Sequence, residues 1–313
     1  MTVHHERGDT VIDCGGLGRR YRRSWALKGC NLALPAGHVV ALVGPNGAGK
    51  TTLLHLAAGL TAPTEGALTV LGGLRPGSPD ALDRIGFVAQ NAALYPRIPV
   101  DDMLRMGRSL NRRWDDTRVR TRLADLGIPP DRRIGRLSGG QQAQVSLALA
   151  LAKQPELLLL DEPLAALDPL ARHDFMAVLL EAVAEDGVSV VFSSHAVAEL
   201  EQTCDYLVLL TGGRVQVAGE VDDLLAGHRM LTGPTAQADA VAAGLPVVRD
   251  RRASARTQLL VRTGGLDAPV PAGWLQQRIG LEELVLSYLR EPSASVLPGP
   301  LAAVRPTERA LSS

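Results

Sequence analysis

Residues 44–51 read GPNGAGKT, which places glycines, a lysine and a threonine at the spacing G-x-x-x-x-G-K-[ST]. Glycines let successive backbone N–H groups turn toward one anion, and a helix that starts at such a loop adds its dipole. The apolar run Val39–Val43 precedes the loop as a strand would, and residues 51–60 have the pattern of a helix. The segment predicts a phosphate-binding loop (P-loop), with Lys50 facing the β- and γ-phosphates and the Thr51 hydroxyl facing Mg²⁺.

Asp161 and Glu162 directly follow the apolar run Leu157–Leu160, a second candidate for a buried strand. Such a pair can be a solvated sheet edge, but a nearby phosphate site gives the two carboxylates separate tasks. We expect Asp161 to hold Mg²⁺ and Glu162 to orient and deprotonate a water molecule. The pair therefore indicates hydrolysis of a nucleotide.

Two further segments are candidates for phosphate contacts. Residues 137–141 read LSGGQ, which in isolation is an ordinary N-cap and turn but also offers a hydroxyl and free amides to a phosphate. His195 follows a third apolar run, Val188–Phe192, at the same sheet edge as the acidic pair. A lone histidine is more often structural, and this position favours a functional role. The remaining histidines are interpreted as having none: His4, His5, His38, His55, His173 and His228.

The order of the elements explains how these residues would meet. Buried strands alternate with helices over the first two thirds of the chain, which predicts an α/β fold with a parallel sheet covered on both faces. Ligands of such sheets bind at the carboxyl ends of the strands, where the polar residues described above lie. Between residues 91 and 153 the pattern becomes mostly helical, as in Asp101–Leu110 and Thr117–Leu126, and predicts an inserted helical subdomain.

The C-terminal third carries weaker signals. Residues 256–262 alternate enough for a strand, and Gln276–Leu289 has the spacing of a helix. From about Pro292 the chain is rich in Pro, Ala and Ser, so residues 292–313 are expected to be disordered.

Composition argues against several classes of protein. The chain has 313 residues with 33 basic and 33 acidic side chains, and this balance argues against a nucleic-acid partner bound through a basic field. Three scattered cysteines suggest neither a disulfide framework nor a cysteine metal site, and favour a reducing compartment. The N-terminus has no apolar signal segment, and no apolar run approaches the roughly 20 residues that cross a bilayer. We expect a cytoplasmic protein that reaches a membrane through a partner.

Taken in order, these motifs resemble those of the ATP-binding subunit of an ABC transporter. The P-loop is followed by Gln90 in VAQNAALYP, then LSGGQ, LLLLDEP, AALD ending at Asp168, and His195. The resemblance covers roughly residues 11–225, and LSGGQ with His195 argues against a plain P-loop kinase or GTPase. It implies a P-loop NTPase with a RecA-like parallel sheet core, an antiparallel β subdomain and an inserted α-helical subdomain. It also implies ATP and Mg²⁺ as cofactors and ATP hydrolysis as the activity.

The resemblance also implies domain boundaries and site residues. The nucleotide-binding domain is expected at 11–235 with its helical subdomain at about 91–153, a small C-terminal extension at 236–291 and the tail at 292–313. Tyr21 matches the aromatic residue that stacks on adenine, with Trp25 as the less favoured alternative. The positions that match catalytic groups are Lys50, Gln90, Glu162 and His195, and those that match metal ligands are Thr51, Gln90 and Asp161. The other nucleotide contacts implied are Gly44, Pro45, Asn46, Gly47, Ala48, Gly49, Lys50, Thr51 and Thr52, and, toward the opposite subunit, Ser138, Gly139, Gly140, Gln141 and Asp168.

The chain has one P-loop and one LSGGQ, whereas in the family each ATP lies between the P-loop of one subunit and the LSGGQ of another. The resemblance therefore implies a second ATP-binding subunit, with a homodimer as the simplest pair. It also implies separate transmembrane permease subunits, docked on the helical insertion near Gln90, where residues 94–97 (LYPR) are candidates to line a groove. Such a complex would lie on the inner face of the cell membrane.

The subtype is indicated by the C-terminal extension. Residues 280–289 (GLEELVLSYL) resemble the short helix that closes many ABC-2 type exporter subunits, although the pattern also suits an ordinary amphipathic helix. The segment after Gly219 is short for the regulatory barrel of sugar-importer subunits. Both features favour an exporter. The alternatives are the ATPase subunit of an ABC importer and a non-transport ABC ATPase, which usually has two P-loops or long coiled coils.

Overall fold

The computed structural model describes residues 10–90, 94–165, 167–194, 203–264, 272–294 and 296–297. Its strands are β1 (Thr10–Tyr21), β2 (Ser24–Pro35), β3 (Val39–Val43), β4 (Glu65–Val70), β5 (Ile85–Val88), β6 (Leu157–Leu160), β7 (Ser189–Ser194), β8 (Tyr206–Thr211), β9 (Arg214–Glu220), β10 (His228–Pro234), β11 (Val247–Arg252), β12 (Arg256–Arg262) and β13 (Leu275–Gln277). Its helices are α1 (Lys50–Ala57), α2 (Pro79–Arg84), α3 (Val100–Leu110), α4 (Asp116–Asp125), α5 (Gly139–Ala152), α6 (Pro169–Asp186), α7 (Val221–Ala226), α8 (Ala238–Ala243) and α9 (Leu281–Arg290). Within the described ranges, no helix combines the length and apolarity needed to cross a bilayer.

A six-stranded sheet forms the centre of the fold, in the order β5-β6-β7-β3-β8-β9. Neighbouring strands from β5 to β8 are parallel, and β9 is antiparallel to β8. The central strand β3 is buried on both faces: Val39, Ala41 and Val43 pack into one core, and Val40 and Leu42 into the other. Burial on both faces explains why β3 and β6 are uninterrupted apolar runs in the sequence. The predicted α/β P-loop fold is confirmed.

A smaller antiparallel sheet covers one face of the central sheet. It has the order β2-β1-β4, and its inner side chains share a core with α1 and with β3 and β8. Tyr21 is the last residue of β1, so this sheet determines where the tyrosine lies relative to the P-loop.

The helical subdomain consists of α3, α4 and α5, which enclose their own aliphatic core. Arg118 and Arg122 of α4 also bind carboxylates of α6, at 2.6 Å from Asp186 and 2.9 Å from Glu181. These contacts hold the subdomain against the helix that covers the central sheet. All three helices lie within the interval of residues 91–153 expected from the sequence.

The C-terminal extension begins earlier than the sequence indicated. Its sheet has the order β11-β12-β10-β13, and β10 pairs with β12 along its whole length, from His228 opposite Arg262 to Pro234 opposite Arg256. The expected boundary after residue 235 therefore falls between β10 and the rest of its own sheet. The structure places the start of the extension near Gly227, because backbone pairing rather than composition decides which strands share a sheet.

The helix α9 fastens this extension to the central core. Its residues Leu281, Leu284, Val285 and Tyr288 are buried with the side chains of β8, β9 and α6. Gln216 of β9 donates from Nε2 to the carbonyl oxygens of Tyr288 (3.1 Å) and of the residue that follows α9 (3.0 Å). The helix predicted at Gln276–Leu289 is divided in the structure: its first residues belong to β13, and the helix starts after Gly280.

The start of the tail is paired with the central sheet. Leu297 donates its N–H to the carbonyl of Gln216 (2.8 Å) and accepts from the N–H of Ala218 (2.7 Å). Part of the segment expected to be disordered from Pro292 onward is thus bound to the outer edge of β9. For residues 298–313, which lie outside the described residues, disorder stays a prediction.

Candidate nucleotide-binding site

The P-loop occupies the turn between β3 and α1, as its sequence requires. A Cβ atom on Gly44 would lie 2.3 Å from the carbonyl oxygen of Leu210, so this position has room only for glycine. Gly49 is the N-cap of α1 with φ 107°, and a Cβ there would lie 2.5 Å from the carbonyl oxygen of Ala26. Both glycines let the loop turn tightly into the helix. The N-terminus of α1 consequently opens toward the concave side of the loop.

Lys50 is the first residue of α1, and its side chain is only 6% exposed. Its ammonium donates to the carbonyl oxygen of Gly44 at 2.7 Å and lies 3.4 Å from Oε1 of Glu162, whose side chain is 9% exposed. The two charges come from residues more than a hundred positions apart and meet because β3 and β6 end at the same edge of the sheet. The predicted juxtaposition of the P-loop lysine and the second carboxylate is therefore present.

Asp161 is almost fully buried, at 2% exposed, and its Oδ1 accepts two hydrogen bonds. One comes from the hydroxyl of Thr51 at 3.0 Å and the other from the hydroxyl of Ser193 at 2.8 Å. A threonine hydroxyl beside a carboxylate is the oxygen pair that Mg²⁺ uses in a P-loop site, where phosphates supply further ligands. The donor set thus fits the implied MgATP, with Thr51 and Asp161 as protein ligands.

Ser193 is a member of this network that the sequence reasoning missed. Its hydroxyl donates to Asp161 and accepts from the backbone N–H of Glu162 at 2.8 Å. The register explains the contact, since Leu160 of β6 pairs with Phe192 of β7 and the following residues are neighbours. The available signal was a serine at the end of a buried strand that also precedes His195.

Glu162 has an unusual backbone for a residue with a long side chain. Its φ is 49°, in the left-handed region, which costs about 1–2 kcal/mol for a non-glycine residue. The hydrogen bond from its N–H to Ser193 and one from the Ala165 N–H to its carbonyl (3.2 Å) hold this conformation. Strained backbone of this kind is concentrated at functional sites. Here it accompanies the placement of the carboxylate beside Lys50.

A cavity of about 350 Å³ lies over the P-loop and gathers most of the predicted site. Its lining comprises Tyr21, Ala26, Asn46, Gly47, Ala48, Gly49, Lys50, Thr51, Thr52, Gln90 and Glu162. Tyr21 is 44% exposed. The guanidinium carbon of Arg19 lies over the tyrosine ring, 4.7 Å from the ring centroid. Trp25, the alternative aromatic residue, is not among the lining residues of the described chain.

The LSGGQ segment lies apart from this cavity. Ser138 is the exposed N-cap of α5, and its hydroxyl accepts from the N–H of Gln141 (3.2 Å), while the Gln141 side chain accepts from the N–H of Ser138 (3.1 Å). This reciprocal capping box stabilises the first turn of the helix. A Cβ on Gly140 would lie 2.9 Å from Cβ of Ala171, so α5 and α6 begin side by side.

Asp168 is the N-cap of α6 and accepts from the N–H of Ala171 at 2.9 Å. Asp168 and the LSGGQ segment therefore share one surface, separate from the P-loop cavity of the same chain. The predicted position of His195 lies outside the described residues.

Known proteins are similar to this chain in sequence and in fold. The family model described as ABC transporter matches residues 27–165. The chain is 35% identical over 221 residues to the uncharacterized ABC transporter ATP-binding protein YxlF of Bacillus subtilis, which covers 68% of this chain and 72% of that protein. It is 38% identical over 239 residues to the nickel import ATP-binding protein NikO of Rhodobacter capsulatus, and the match covers 71% of this chain and 93% of NikO. It is 41% identical over 207 residues to the molybdenum import ATP-binding protein ModC of Aromatoleum aromaticum, covering 63% of this chain and 54% of ModC.

A solved structure gives the same result. The dimeric structure of a post-hydrolysis state of the ATP-binding cassette MJ0796, bound to ADP and Pi, has a TM-score of 0.60 at 26% identity, and covers 67% of this chain and 98% of that one. Motifs, fold and relatives agree, and the chain belongs to the ABC transporter family as one of its ATP-binding, ATP-hydrolysing subunits.

Proposed function

We propose that this subunit hydrolyses MgATP in the cavity over the P-loop and drives separate membrane permease subunits. The observation that carries the proposal is the convergence of Lys50, Thr51, Asp161 and Glu162 at one edge of the central sheet. The Lys50 ammonium is 3.4 Å from the Glu162 carboxylate, and the Thr51 hydroxyl is 3.0 Å from the Asp161 carboxylate. A positive charge, two oxygen ligands and a carboxylate base are thereby assembled.

Each of these groups has a separate task. Lys50 places its charge against phosphate oxygens, where negative charge accumulates in the transition state. Thr51 and Asp161 present oxygen atoms to Mg²⁺, which neutralises phosphate charge when bound. The Glu162 carboxylate accepts the proton of the attacking water. Gln90, at the rim of the same cavity, and His195 complete the set that we assign to hydrolysis.

The separation of the two phosphate-binding segments supports a dimer. Ser138 and Gly139 are exposed on a surface that also carries Asp168, apart from the P-loop cavity of their own chain. Two copies related by a two-fold axis would each offer this surface to the P-loop of the other and so form two equivalent ATP sites. We propose a homodimer with MgATP at its interface, located on the inner face of the membrane where the permease subunits lie.

We propose export as the direction of transport. Support comes from α9, which ends the C-terminal extension with the sequence that resembles the closing helix of ABC-2 type exporters, and from the small size of that extension. Import is the second candidate, and it is favoured by the names of the relatives NikO and ModC.

Transport measured in inside-out membrane vesicles tests the proposal. The subunit is co-expressed with candidate permease subunits, and a panel of labelled compounds is tested with MgATP outside the vesicles. Export predicts ATP-dependent accumulation inside the vesicles, which the Lys50→Ala variant abolishes. Loss of compound from preloaded vesicles would establish import instead. A purified subunit that hydrolyses no ATP with its permease would contradict the assignment of the site.

A further inference from the structure

A depression of about 820 Å³ lies on the helical subdomain, away from the P-loop cavity. Its lining is Pro129, Asp131, Arg132, Arg133 and Arg136, and we refer to it as the arginine pocket. The three arginines are exposed, and they bring three positive charges against the single negative charge of Asp131. The pocket is therefore a concave site with an excess of positive charge.

The segment that follows Gln90 is hydrogen-bonded to the segment that lines this pocket. The N–H of Gly135 donates to the carbonyl of Pro96 at 2.9 Å, the N–H of Ile134 to the carbonyl of Ile98 at 3.0 Å, and the N–H of Val100 to the carbonyl of Arg132 at 3.0 Å. These bonds join the two segments over their whole facing length. The exposed residues Tyr95 and Arg97 consequently belong to the same surface as the pocket.

Charge pairing distinguishes these arginines from most others of the helical subdomain. Within the described ranges, no carboxylate oxygen lies within 4.0 Å of the guanidinium groups of four arginines on this surface: Arg97, Arg132, Arg133 and Arg136. Most other arginines of the subdomain do have one: Arg105, Arg112, Arg113, Arg118, Arg120 and Arg122. Apart from Arg108 of α3, the described arginines of the subdomain without a carboxylate partner therefore belong to the cluster at this depression.

The chemistry of the cluster identifies the class of ligand. Guanidinium groups bind carboxylates through paired, charge-assisted hydrogen bonds. An anion placed between like charges also reduces the repulsion between them. Tyr95 is 58% exposed, and tyrosine and arginine are the residues enriched at the centres of protein interfaces. A concave pocket also fits side chains of a peptide better than it fits the flat surface of a bilayer.

We propose that the arginine pocket binds an acidic segment of the permease, with aspartate or glutamate side chains placed between Arg132, Arg133 and Arg136. This inference rests on the proposed function, since it names the chemistry of the permease surface that docks near Gln90. The pocket also adjoins the nucleotide machinery: Ile134–Arg136 forms a 3₁₀ turn that leads through Leu137 into the N-cap of α5 at Ser138. A segment seated in the pocket would therefore lie against the turn that positions LSGGQ.

The test measures binding of a short fluorescein-labelled peptide of glutamate and alanine to the full chain by fluorescence anisotropy. The same peptide with glutamine in place of glutamate reports the uncharged contribution. The test variant is Arg132→Gln/Arg133→Gln/Arg136→Gln. The matched control is Arg105→Gln/Arg112→Gln/Arg113→Gln, which removes the same charge from the same subdomain, and unfolding in urea shows that each variant is folded.

We expect the acidic peptide to bind at least about tenfold more tightly than its glutamine counterpart. The test variant should lose at least about tenfold in affinity for the acidic peptide, and the control variant should keep its affinity. A tenfold change corresponds to the loss of one good charge-assisted contact. Equal losses in both variants would overturn the proposal, because the attraction would then be a general effect of net charge. Binding to phosphatidylglycerol vesicles but not to the peptide would overturn it in favour of a lipid surface. Hydrolysis of ATP by the unmodified chain, measured separately, shows whether the proposed function survives such a result.

Discussion

The hydroxyl of Ser193 donates a hydrogen bond to Oδ1 of Asp161 at 2.8 Å, and the same hydroxyl accepts the backbone N–H of Glu162. One side chain from β7 therefore holds both the carboxylate assigned to the metal and the backbone of the residue assigned to the water. Ser193 is fully buried, so water does not replace either hydrogen bond when the serine hydroxyl is removed.

We expect Ser193→Ala to lower the stability of the fold and also to weaken the Mg²⁺-dependent hydrolysis of ATP. The partly buried N–H of Glu162 loses its Ser193 acceptor, which costs about 1–3 kcal/mol, and Asp161 is less firmly oriented toward Thr51. The measurement is the rate of phosphate release against Mg²⁺ concentration, where the half-saturating concentration should rise at least about threefold, since ligand-orienting groups typically contribute tenfold or more to metal affinity.

Ser189→Ala is the matched control for that experiment. Ser189 is a buried serine of the same strand whose hydroxyl accepts the N–H of Gly37 at 2.8 Å, far from the P-loop. It should lose similar stability without any change in Mg²⁺ dependence. An identical Mg²⁺ profile for Ser193→Ala and the unmodified chain would show that Ser193 has only a structural role.

Stability should also depend on pH through His228, which joins α7 to α9. Its Nδ1 lies 2.6 Å from the carbonyl of Leu224, which can only accept, so Nδ1 carries the proton and Nε2 accepts from the hydroxyl of Tyr288 at 2.9 Å. Burial, with a smaller contribution from Arg262, lowers the pKa of His228, against the opposing effect of the Leu224 carbonyl. The two hydrogen bonds and the lowered pKa therefore fit the neutral form of the histidine.

The sign of the pH effect follows from this lowered pKa. The unfolded chain binds a proton at its ordinary pKa of about 6.5, whereas the folded chain does not until a lower pH. The stability contributed by neutral His228 is complete above about pH 6.5 and decreases as the pH falls toward the folded value, by at most about 1.4 kcal/mol per pH unit. Urea unfolding between neutral and mildly acid pH should show a slope that His228→Phe reduces and His173→Phe, at an exposed site, leaves unchanged. A slope that is the same in all three proteins would contradict this assignment.

Truncation of the tail should have two different outcomes. Removing residues 298–313 deletes none of the described contacts, and we expect no change in the free energy of unfolding. Removing residues 292–313 also takes away the two backbone hydrogen bonds of Leu297 with β9 and uncovers an edge of the central sheet. We expect that longer deletion to cost about 1–2 kcal/mol, since each such bond contributes about 0.5–1.5 kcal/mol, and to increase aggregation. Equal stability of the two truncations would show that the pairing of Leu297 contributes nothing.

The parts of this fold that the sequence predicts are those whose residues are buried on both faces or follow a strict motif. β3 and β6 match the predicted runs Val39–Val43 and Leu157–Leu160 residue for residue, because every side chain in them is buried. The strand predicted at residues 256–262 matches β12, in which Leu259 and Val261 face one core and Leu260 faces another.

The parts that the sequence does not predict depend on long-range pairing. β13 has three residues and an exposed Leu275, so no periodicity reveals it, and it exists because it pairs with β10, more than forty positions earlier. Ser193 is similar: its role depends on the register of β7 against β6, which composition does not encode. Local pattern therefore finds the P-loop and the carboxylates, and the three-dimensional register is needed for the residue that joins them.

The two carboxylates should fail differently when they are neutralised. Glu162→Gln keeps the shape of the side chain, removes the proposed base and frees Lys50 from its ion pair, while Thr51 and Asp161 are unchanged. ATP should then bind and hold two subunits together, with hydrolysis reduced by about 10²–10⁴-fold, the usual contribution of a positioned base. Asp161→Asn retains an oxygen for Thr51 and Ser193 but loses the charge that attracts Mg²⁺, so both ATP binding and dimerisation should weaken. Size-exclusion chromatography with MgATP and a phosphate-release assay measure the two properties on each variant. Hydrolysis at the unmodified rate by Glu162→Gln would refute the assignment of the base, and a stable MgATP dimer of Asp161→Asn would refute the assignment of the metal ligand.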